Sequence, residues 1–306
     1  MKEGVPHRWR VLLGLLRLLP QAALSRITGR LAEVRLPRFL RAPVNGAFAR
    51  AAGVDRSEMV GGPGDYPSVS AFFVRELRPG LRSWPESPAL PGSPVDGQVG
   101  AFGDFSRGTA LQAKGISYST ADLLGSREDG ERFRRGRFIT LYLSPRHYHR
   151  IHAPARIRIA GARAVPGRLL PVNRPTVRAV GDLFPRNERL VVLAEGEGYR
   201  MAVVAVGAFN VGRISTTFDP GWNGPRGRGV TNRGRSRAVE ARSYRPPLEV
   251  EAGDEIMRFH LGSTVVLLVS PLHGTLSGSA GWVGRFDPGL EEGGEIRLGD
   301  PLFLQE

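Results

Sequence analysis

The sequence predicts an α+β protein in which a predominantly β domain follows basic amphipathic helices. The 306 residues include 40 Gly and 24 Pro, and so many turn-forming residues are typical of β-rich folds. Short apolar runs with β-branched residues recur between Gly, Pro and Asn, as expected for strands. Strand and helix patterns do not alternate, and no Gly-rich loop leads into Lys-Ser or Lys-Thr. A doubly wound nucleotide-binding fold is therefore disfavoured.

The first fifty residues carry ten Lys and Arg against two Glu, more than half of the chain's net charge of +14. The apolar run Val11–Leu19 is interrupted by Arg17 and is far shorter than the roughly 20 apolar residues of a membrane-spanning helix. Helical spacing of apolar residues predicts a basic helix lying in a membrane interface. A second stretch, Val34–Ala49, repeats this pattern. A secretory signal and an ordinary packed helix are the alternatives. The spaced residues are Leu12, Leu15, Leu16, Leu19, Ala23 and Ile27.

The next elements are one short helix and a series of strands. After a linker-like Gly/Pro cluster, Ser68 is a typical N-cap for a helix over Ser68–Arg78. Asp96-Gly97, between apolar residues, predicts a hairpin turn. The clearest strands are short apolar or alternating runs bounded by turn residues. They are Arg137–Ser144, Arg189–Leu193, Met201–Val206 and Thr264–Ser270.

Composition also limits the chemistry. The chain has no Cys, which excludes disulfides, thiolate zinc sites, iron–sulfur clusters and a cysteine nucleophile. Any nucleophile is therefore an oxygen or an amine. Five Arg lie among glycines between Arg226 and Arg237. They predict either a basic loop facing an anionic surface or an arginine-glycine nucleic-acid site, and the scarcity of nearby aromatic residues favours the first.

Three of the six His residues fall within six positions, directly after a predicted strand: His147, His149 and His152. On an extended chain the first two share a face and the third lies opposite, so one metal site would need an intervening turn. A metal site and purely structural roles both stay open. Taken alone, Asp96 and Ser263 are most simply turn residues, because Asp96 precedes Gly97 and Ser263 follows Gly262 at a strand entrance.

Taken together and in order, these residues resemble the phosphatidylserine decarboxylases, pyruvoyl-dependent enzymes that cut themselves within a Leu-Gly-Ser-Thr motif. That motif is Leu261–Thr264 here. Other segments match in the same order and at similar spacing from about residue 66 to 265. They are Phe72–Arg78, Val95–Gly97, Leu111–Gly115, Leu143–His152, Val172–Arg189, Val206–Ile214 and Gly253–Val265.

The resemblance implies self-cleavage at Gly262–Ser263. Asp96, His152 and Ser263 correspond to the orienting acid, the base and the nucleophile. They would act like the catalytic triad of a serine hydrolase, with the enzyme's own peptide bond as the substrate. Ser263 would attack the carbonyl of Gly262, whose missing Cβ allows a close approach, and form an ester. Elimination and loss of ammonia would leave a pyruvoyl group derived from Ser263. The products would be a β chain, residues 1–262, and an α chain, residues 263–306.

The pyruvoyl group is the only cofactor that the resemblance implies, and it would accept the electrons released as CO2 leaves. His149 corresponds to the general acid that returns a proton to the substrate. Tyr142 is expected to help position the substrate, and no metal is expected.

The resemblance also implies the reaction, its location and the division of the chain into two parts. The expected reaction converts phosphatidylserine to phosphatidylethanolamine and CO2 on the cytoplasmic face of the cell membrane. Residues 1–60 would form a peripheral, membrane-associating helical segment on an anionic surface, and residues 61–306 a β-rich catalytic domain. The α and β chains would stay associated, without a nucleic-acid partner. The oligomeric state is open, with a homodimer as one option.

Three alternatives stay open. One is a related serine phospholipid, such as archaetidylserine, as the substrate. The others are an Arg/Gly-rich nucleic-acid-binding protein and a metal-dependent enzyme built on the three His. The chain also departs from the family pattern at His147, Met257 and His260, where Asp, Gly and a Lys or other polar residue are usual. These departures leave the processing rate and the headgroup contacts open.

Overall fold

The computed structural model describes residues 21–85, 90–113, 116–209, 213–224, 229–232, 238–260, 264–272 and 284–304. The strands are β1 (Gly97–Phe105), β2 (Thr109–Ala113), β3 (Ile116–Ser119), β4 (Gly136–Tyr142), β5 (Arg150–His152), β6 (Ile157–Val165), β7 (Arg189–Glu195), β8 (Tyr199–Val206), β9 (Ile214–Thr216), β10 (Glu240–Val250), β11 (Glu255–Phe259), β12 (Thr264–Pro271), β13 (Arg285–Phe286), β14 (Glu295–Ile296) and β15 (Phe303–Leu304). The helices are α1 (Gln21–Glu33), α2 (Arg38–Ala52), α3 (Val69–Phe73), α4 (Thr120–Leu124), α5 (Arg127–Arg132), α6 (Arg174–Ala179) and α7 (Leu183–Arg186).

An antiparallel eight-stranded sheet organises the fold, in the order β10-β6-β7-β8-β12-β4-β1-β14. A three-stranded sheet, β5-β11-β9, packs on one of its faces through Ile151, Ile214 and Phe259. Short helices cover the other face, where Leu124 of α4 and Phe184 of α7 are buried. The prediction of an α+β protein with a predominantly β core is therefore confirmed.

The central strand β12 shows why the sheet is buried on both sides. Its side chains alternate between two cores: Val265 and Leu267 face the three-stranded sheet, whereas Val266 and Leu268 face the helices. A strand covered on both faces reads as a continuous apolar run, as in the sequence TVVLLVS. The four predicted strands are confirmed as β4, β7, β8 and β12, with ends that agree to within two residues.

The predicted helix after Ser68 is confirmed at its start but is shorter than expected. The Ser68 Oγ caps the helix by accepting the Ala71 N–H at 3.1 Å, but α3 ends at Phe73 rather than at Arg78. Beyond it the chain pairs with residues 58–60, where the Val60 N–H donates to the Glu76 carbonyl at 2.9 Å. This tertiary pairing replaces the last helical turns.

The predicted hairpin turn at Asp96-Gly97 is wrong. Gly97 is the first residue of β1 and pairs with Ile296 of β14. A Cβ at this position would lie 2.9 Å from the Tyr142 carbonyl oxygen. The glycine therefore serves a close approach of two strands rather than a reverse turn.

The helices α1 and α2 precede the sheet. Gln21 and Ser25 on one side of α1 are buried, and the Gln21 side-chain oxygen accepts the Leu169 N–H at 3.2 Å. On the opposite side, Ile27 and Leu31 are 53% and 69% exposed. No described helix combines the length and apolar character needed to cross a bilayer. The apolar run Val11–Leu19 lies outside the described residues.

Candidate active site

One edge of the large sheet gathers the predicted site segments. Gln98, Tyr142, Thr264, Val206 and Arg189 are aligned side by side on β1, β4, β12, β8 and β7. Neighbouring strands lie about 4.8 Å apart, so the residues that flank this row come close together. Asp96 precedes β1, the His-containing segment follows β4, and Thr264 directly follows Ser263 in the chain.

Leu261, Gly262 and Ser263 themselves lie outside the described residues, as does most of the segment Arg226–Arg237. Their chain neighbours are described on both sides. The Phe259 N–H donates to the His149 carbonyl at 3.0 Å, and Thr264 begins β12. The backbone next to the predicted cleavage site is therefore tied to the His-containing segment.

His149 is fully buried, and its two ring nitrogens differ in their surroundings. Its Nδ1 lies 2.8 Å from the His147 carbonyl oxygen, so Nδ1 carries the proton. Its Nε2 is buried without a hydrogen-bond partner among the described residues, and the ring packs on Phe73 with centroids 4.0 Å apart. Burial, with the nearby Arg75 guanidinium, lowers the pKa of His149 well below its usual value. The ring is therefore neutral, with a bare Nε2 lone pair.

His152 is held in the same tautomer by a different carbonyl. Its Nδ1 donates to the Gly253 oxygen at 2.6 Å, and its Nε2 lies 3.2 Å from the Tyr148 hydroxyl. Burial lowers the pKa of His152, and the Gly253 hydrogen bond opposes that effect. His152 is thus a neutral imidazole with an accepting Nε2, the state required of a general base.

Asp96 is partnered by groups other than His152. Its carboxylate accepts two hydrogen bonds from Arg82, at 2.9 and 2.6 Å, and the Leu298 N–H at 2.7 Å. Arg82 also pairs with Glu58 at 2.7 Å. Asp96 raises the pKa of His152 only as a minor effect, behind burial and the Gly253 hydrogen bond. The carbonyl of Gly253, not Asp96, fixes the His152 tautomer.

His147 has a separate environment. Its Nδ1 accepts the Ser144 N–H at 3.0 Å, and its Nε2 lies 2.9 Å from the Glu295 carboxylate. The three His side chains therefore turn to three different sets of partners. In the described ranges, no three His, Asp or Glu side chains converge as a metal site.

The other two departures from the family pattern are Met257, which is buried, and His260, which is half-buried. Met257 of β11 pairs with Ile151 of β5 and is fully buried. His260 bonds the Ser215 hydroxyl at 2.9 Å through Nε2, and burial with the nearby Arg213 and Arg258 lowers its pKa to about 3. This low pKa leaves His260 neutral near pH 7.

Sequence reasoning assigned no role to three residues that hydrogen-bond the predicted site residues Asp96 and His152. They are Arg82, Tyr148 and Gly253. Arg82 and Gly253 are distant in sequence from their partners, so no spacing pattern could reveal them. Gly253 has φ +88° and lies so close to Trp84 that a Cβ would overlap the indole. Tyr148 does lie within the His-containing segment, four residues before His152, and its hydroxyl could have drawn attention there.

Glu188 carries a half-buried carboxylate at the same sheet edge, one residue before β7. Its Oε1 accepts the Asn232 N–H at 2.6 Å, and burial raises its pKa to about 7. Between its usual pKa and 7, the folded chain binds this proton more tightly than the unfolded chain does. The free energy of unfolding therefore falls as pH rises through that window.

We expect Glu188→Gln to become more stable than the parent as the pH is raised from 5 to 8, by on the order of 1–3 kcal/mol. Urea unfolding in the Ser263→Ala background, where each sample contains a single chain, measures this difference. The exposed Glu249→Gln is the matched control and should show no such trend. A stability difference that does not change with pH would contradict the assignment of a half-buried, titrating Glu188.

Comparison with known proteins identifies a family and several relatives. The phosphatidylserine decarboxylase family matches residues 69–303. A phosphatidylserine decarboxylase proenzyme of Anaeromyxobacter sp. (strain K) is 43% identical over 293 residues, covering 96% of this chain and 98% of the relative. Proenzymes of the same name are 44% identical in Halorhodospira halophila and 38% identical in Myxococcus xanthus. They cover 93% of this chain each, and 90% and 95% of the respective relatives.

Proposed function

Because the chain belongs to the phosphatidylserine decarboxylase family, we propose that it is a proenzyme that cuts itself between Gly262 and Ser263 and then converts phosphatidylserine to phosphatidylethanolamine and CO2. The geometry that best supports this is the pair of neutral imidazoles, His149 and His152, each with its Nδ1 proton on a backbone carbonyl. The segment that carries them follows β4, whose last residue pairs with Thr264 at the start of β12. Thr264 is one residue after Ser263.

Self-cleavage needs a base for the serine hydroxyl, and His152 is the proposed one. Its Nε2 takes the Ser263 hydroxyl proton while Oγ bonds to the Gly262 carbonyl carbon. The C–N bond between Gly262 and Ser263 then breaks as His152 gives this proton to the Ser263 nitrogen, leaving an ester and a free amine. Removal of the Ser263 α-proton expels Gly262 as a carboxylate and leaves dehydroalanine, and water replaces its nitrogen as ammonia is released. The pyruvoyl group remains on the α chain.

Asp96 supports this step indirectly in our proposal. Its bonds to Arg82 and to the Leu298 N–H join the start of β1 to a segment of the α chain. Its negative charge favours the imidazolium that forms when His152 takes a proton. Loss of Asp96 should therefore slow cleavage both by loosening this edge and by removing that charge.

One buried polar atom fits a pyruvoyl group derived from Ser263. The Nε2 of His149 is buried and lacks a hydrogen-bond partner in the described part of the chain. When present, the pyruvoyl group supplies a carbonyl that accepts the electron pair released with CO2. Because His149 is neutral, its Nε2 has no proton to donate at the start of the reaction. We propose that Nε2 first takes the proton that the substrate ammonium must lose and later returns it to the α-carbon.

The membrane surface is the proposed location of the reaction. Ile27, Leu31, Val34 and Phe39 are 53%, 69%, 55% and 78% exposed, respectively. Arginines at positions 30, 35 and 38 are exposed beside them. Apolar side chains interspersed with arginines suit an anionic lipid interface, where each arginine contributes about 1 kcal/mol. The polar side of α1 packs on the protein, which leaves this apolar side available.

We expect Leu31→Ser combined with Phe39→Ser to weaken binding to phosphatidylglycerol-containing vesicles by at least about tenfold, because each buried side chain contributes about 1.5–3 kcal/mol. Vesicle sedimentation measures this, and self-cleavage should be unchanged. Val239→Ser, at a side chain 45% exposed near β10, is the control. Equal binding by the double variant and the control would contradict the proposed membrane surface.

Release of CO2 from phosphatidylserine in detergent micelles, with phosphatidylethanolamine identified by mass spectrometry, tests the proposed reaction. Archaetidylserine should be assayed in parallel, because faster turnover of that lipid would assign the chain to the related substrate. Absence of CO2 from either lipid with fully cleaved protein would contradict the proposal.

A further inference from the structure

A cavity of about 50 Å³ lies beside Thr264, on the helix-covered face of the sheet. One water needs about 10–15 Å³ of such space, so the cavity holds a group of a few heavy atoms. Thr140 and Tyr142 of β4 line it together with Thr264. From α6, Arg174 and Arg178 line it as well.

The cavity wall contains unused hydrogen-bonding groups. The side-chain hydroxyls of Thr140 and Thr264 are buried, in residues 5% and 1% exposed, and have no hydrogen-bond partner among the described residues. Buried hydroxyls nearly always have a partner, because an unpaired one is costly. Two unpaired hydroxyls in the lining of one cavity therefore indicate a polar ligand.

The charge of the lining favours an anion. Arg174 and Arg178 are one helical turn apart and lie on the same face of α6. Glu292 is the acidic residue in the lining, so the cavity has one positive charge in excess. The Arg174 guanidinium lies against Gly293, where any Cβ would overlap it. Gly293 thus provides the space that Arg174 occupies.

A serine phospholipid headgroup carries two anionic groups, a carboxylate and a phosphodiester. Only the carboxylate is lost in the reaction. The carboxylate becomes neutral CO2, so a guanidinium bound to it would stabilise the substrate more than the transition state and slow the reaction. The phosphodiester keeps its charge throughout. A contact with the phosphodiester holds the substrate without opposing the chemistry, and it strengthens the binding of substrate and transition state equally.

We propose that this cavity binds the phosphodiester of the substrate headgroup, with Arg174 and Arg178 pairing with its oxygens and Thr264 donating its hydroxyl. This inference rests on the proposed decarboxylation of a serine phospholipid. Tyr142, which pairs with Thr264 on the adjacent strand, also lines the cavity. Binding of this kind raises the affinity for the lipid and leaves kcat unchanged.

The test is the double variant Arg174→Gln, Arg178→Gln, with Arg158→Gln as the matched control. Arg158 is 58% exposed on β6, pairs with Glu195 and lies outside the cavity. In the double variant we expect normal self-cleavage on a denaturing gel and a KM for micellar phosphatidylserine raised about 10- to 100-fold. We expect kcat to stay within about threefold. The control should match the parent.

Binding of glycerol 3-phosphate, followed by phosphorus NMR titration, gives a readout that needs no turnover. The parent and the control should bind it, and the double variant should bind at least about tenfold more weakly. Unchanged KM and unchanged glycerol 3-phosphate binding in the double variant would overturn the phosphodiester site. A fall in kcat at constant KM would do so too. If the parent releases no CO2, the proposed function fails, whereas the NMR titration still decides whether the cavity binds phosphate.

Discussion

We expect Ser263→Ala to leave a single chain of 306 residues that releases no CO2 from phosphatidylserine. The substitution removes the hydroxyl oxygen that would attack the Gly262 carbonyl, and it also removes the atoms from which the pyruvoyl group would form. The expected loss of activity is therefore complete. Denaturing gel electrophoresis and a CO2-release assay measure the two effects on the same sample.

Ser243→Ala is the matched control for this experiment, because Ser243 is exposed on β10. That variant should cleave and decarboxylate like the parent. Two fragments from the Ser263→Ala variant would show that another residue provides the nucleophile. An uncut variant with full decarboxylase activity would contradict the pyruvoyl mechanism itself.

Variants of His149 and His152 should affect self-cleavage and decarboxylation differently. His149→Ala is expected to cleave normally and to decarboxylate about 10²- to 10⁴-fold more slowly, the usual contribution of general acid–base catalysis. His152→Ala is expected to stay largely uncut, because its Nε2 is the proposed base for Ser263. Asp96→Asn should slow cleavage to a smaller extent, since Asp96 acts on His152 without a direct hydrogen bond.

Because His149 is fully buried, its replacement by alanine leaves a cavity. His149→Asn is therefore tested beside it, since the asparagine amide can still donate to the His147 carbonyl. Normal cleavage and an unchanged melting temperature in either variant show that the fold is intact. If His149→Asn and His152→Ala had the same effect on both reactions, the division of roles would be wrong.

The large sheet could be predicted because its strands carry local signals. The continuous apolar run of β12 predicts a strand that is buried on both faces, and the mostly apolar residues of β4 give a similar local signal. The end of α3 could not be predicted in this way. Residues 76–78 pair with residues 58–60 instead of continuing the helix, and this contact is tertiary. The role of Gly97 could not be predicted either, because the Tyr142 carbonyl that approaches it lies on another strand.

Within the candidate site, motif resemblance identified Asp96, His149 and His152 but not their partners. The expected triad had Asp96 orienting His152, whereas the Gly253 carbonyl holds that ring and Arg82 holds Asp96. Each of these contacts depends on how the chain folds back on itself, so the motif alone could not supply them. The catalytic roles of all six residues stay predictions: Asp96, His149, His152, Gly262, Ser263 and Tyr142.

The sequence pattern at the N-terminus had two interpretations, a packed helix and an interfacial one. The described part of α1 packs through Gln21 and Ser25 and leaves Ile27 and Leu31 outward. Periodicity alone could not distinguish these interpretations, because both require one apolar stripe. The division of the chain at residue 60 and the position on the cytoplasmic face of the membrane stay predictions.

Intact mass spectrometry of the purified protein tests the central claim, self-cleavage to a pyruvoyl enzyme, most directly. The expected result is an α chain of residues 263–306, about 4.8 kDa as the 44/306 share of 33.3 kDa. Its mass should be lower by one ammonia than that of the same fragment beginning with serine, and its N-terminus should resist Edman degradation. A single species of 33.3 kDa, or a fragment that begins with an unmodified Ser263, would contradict the account.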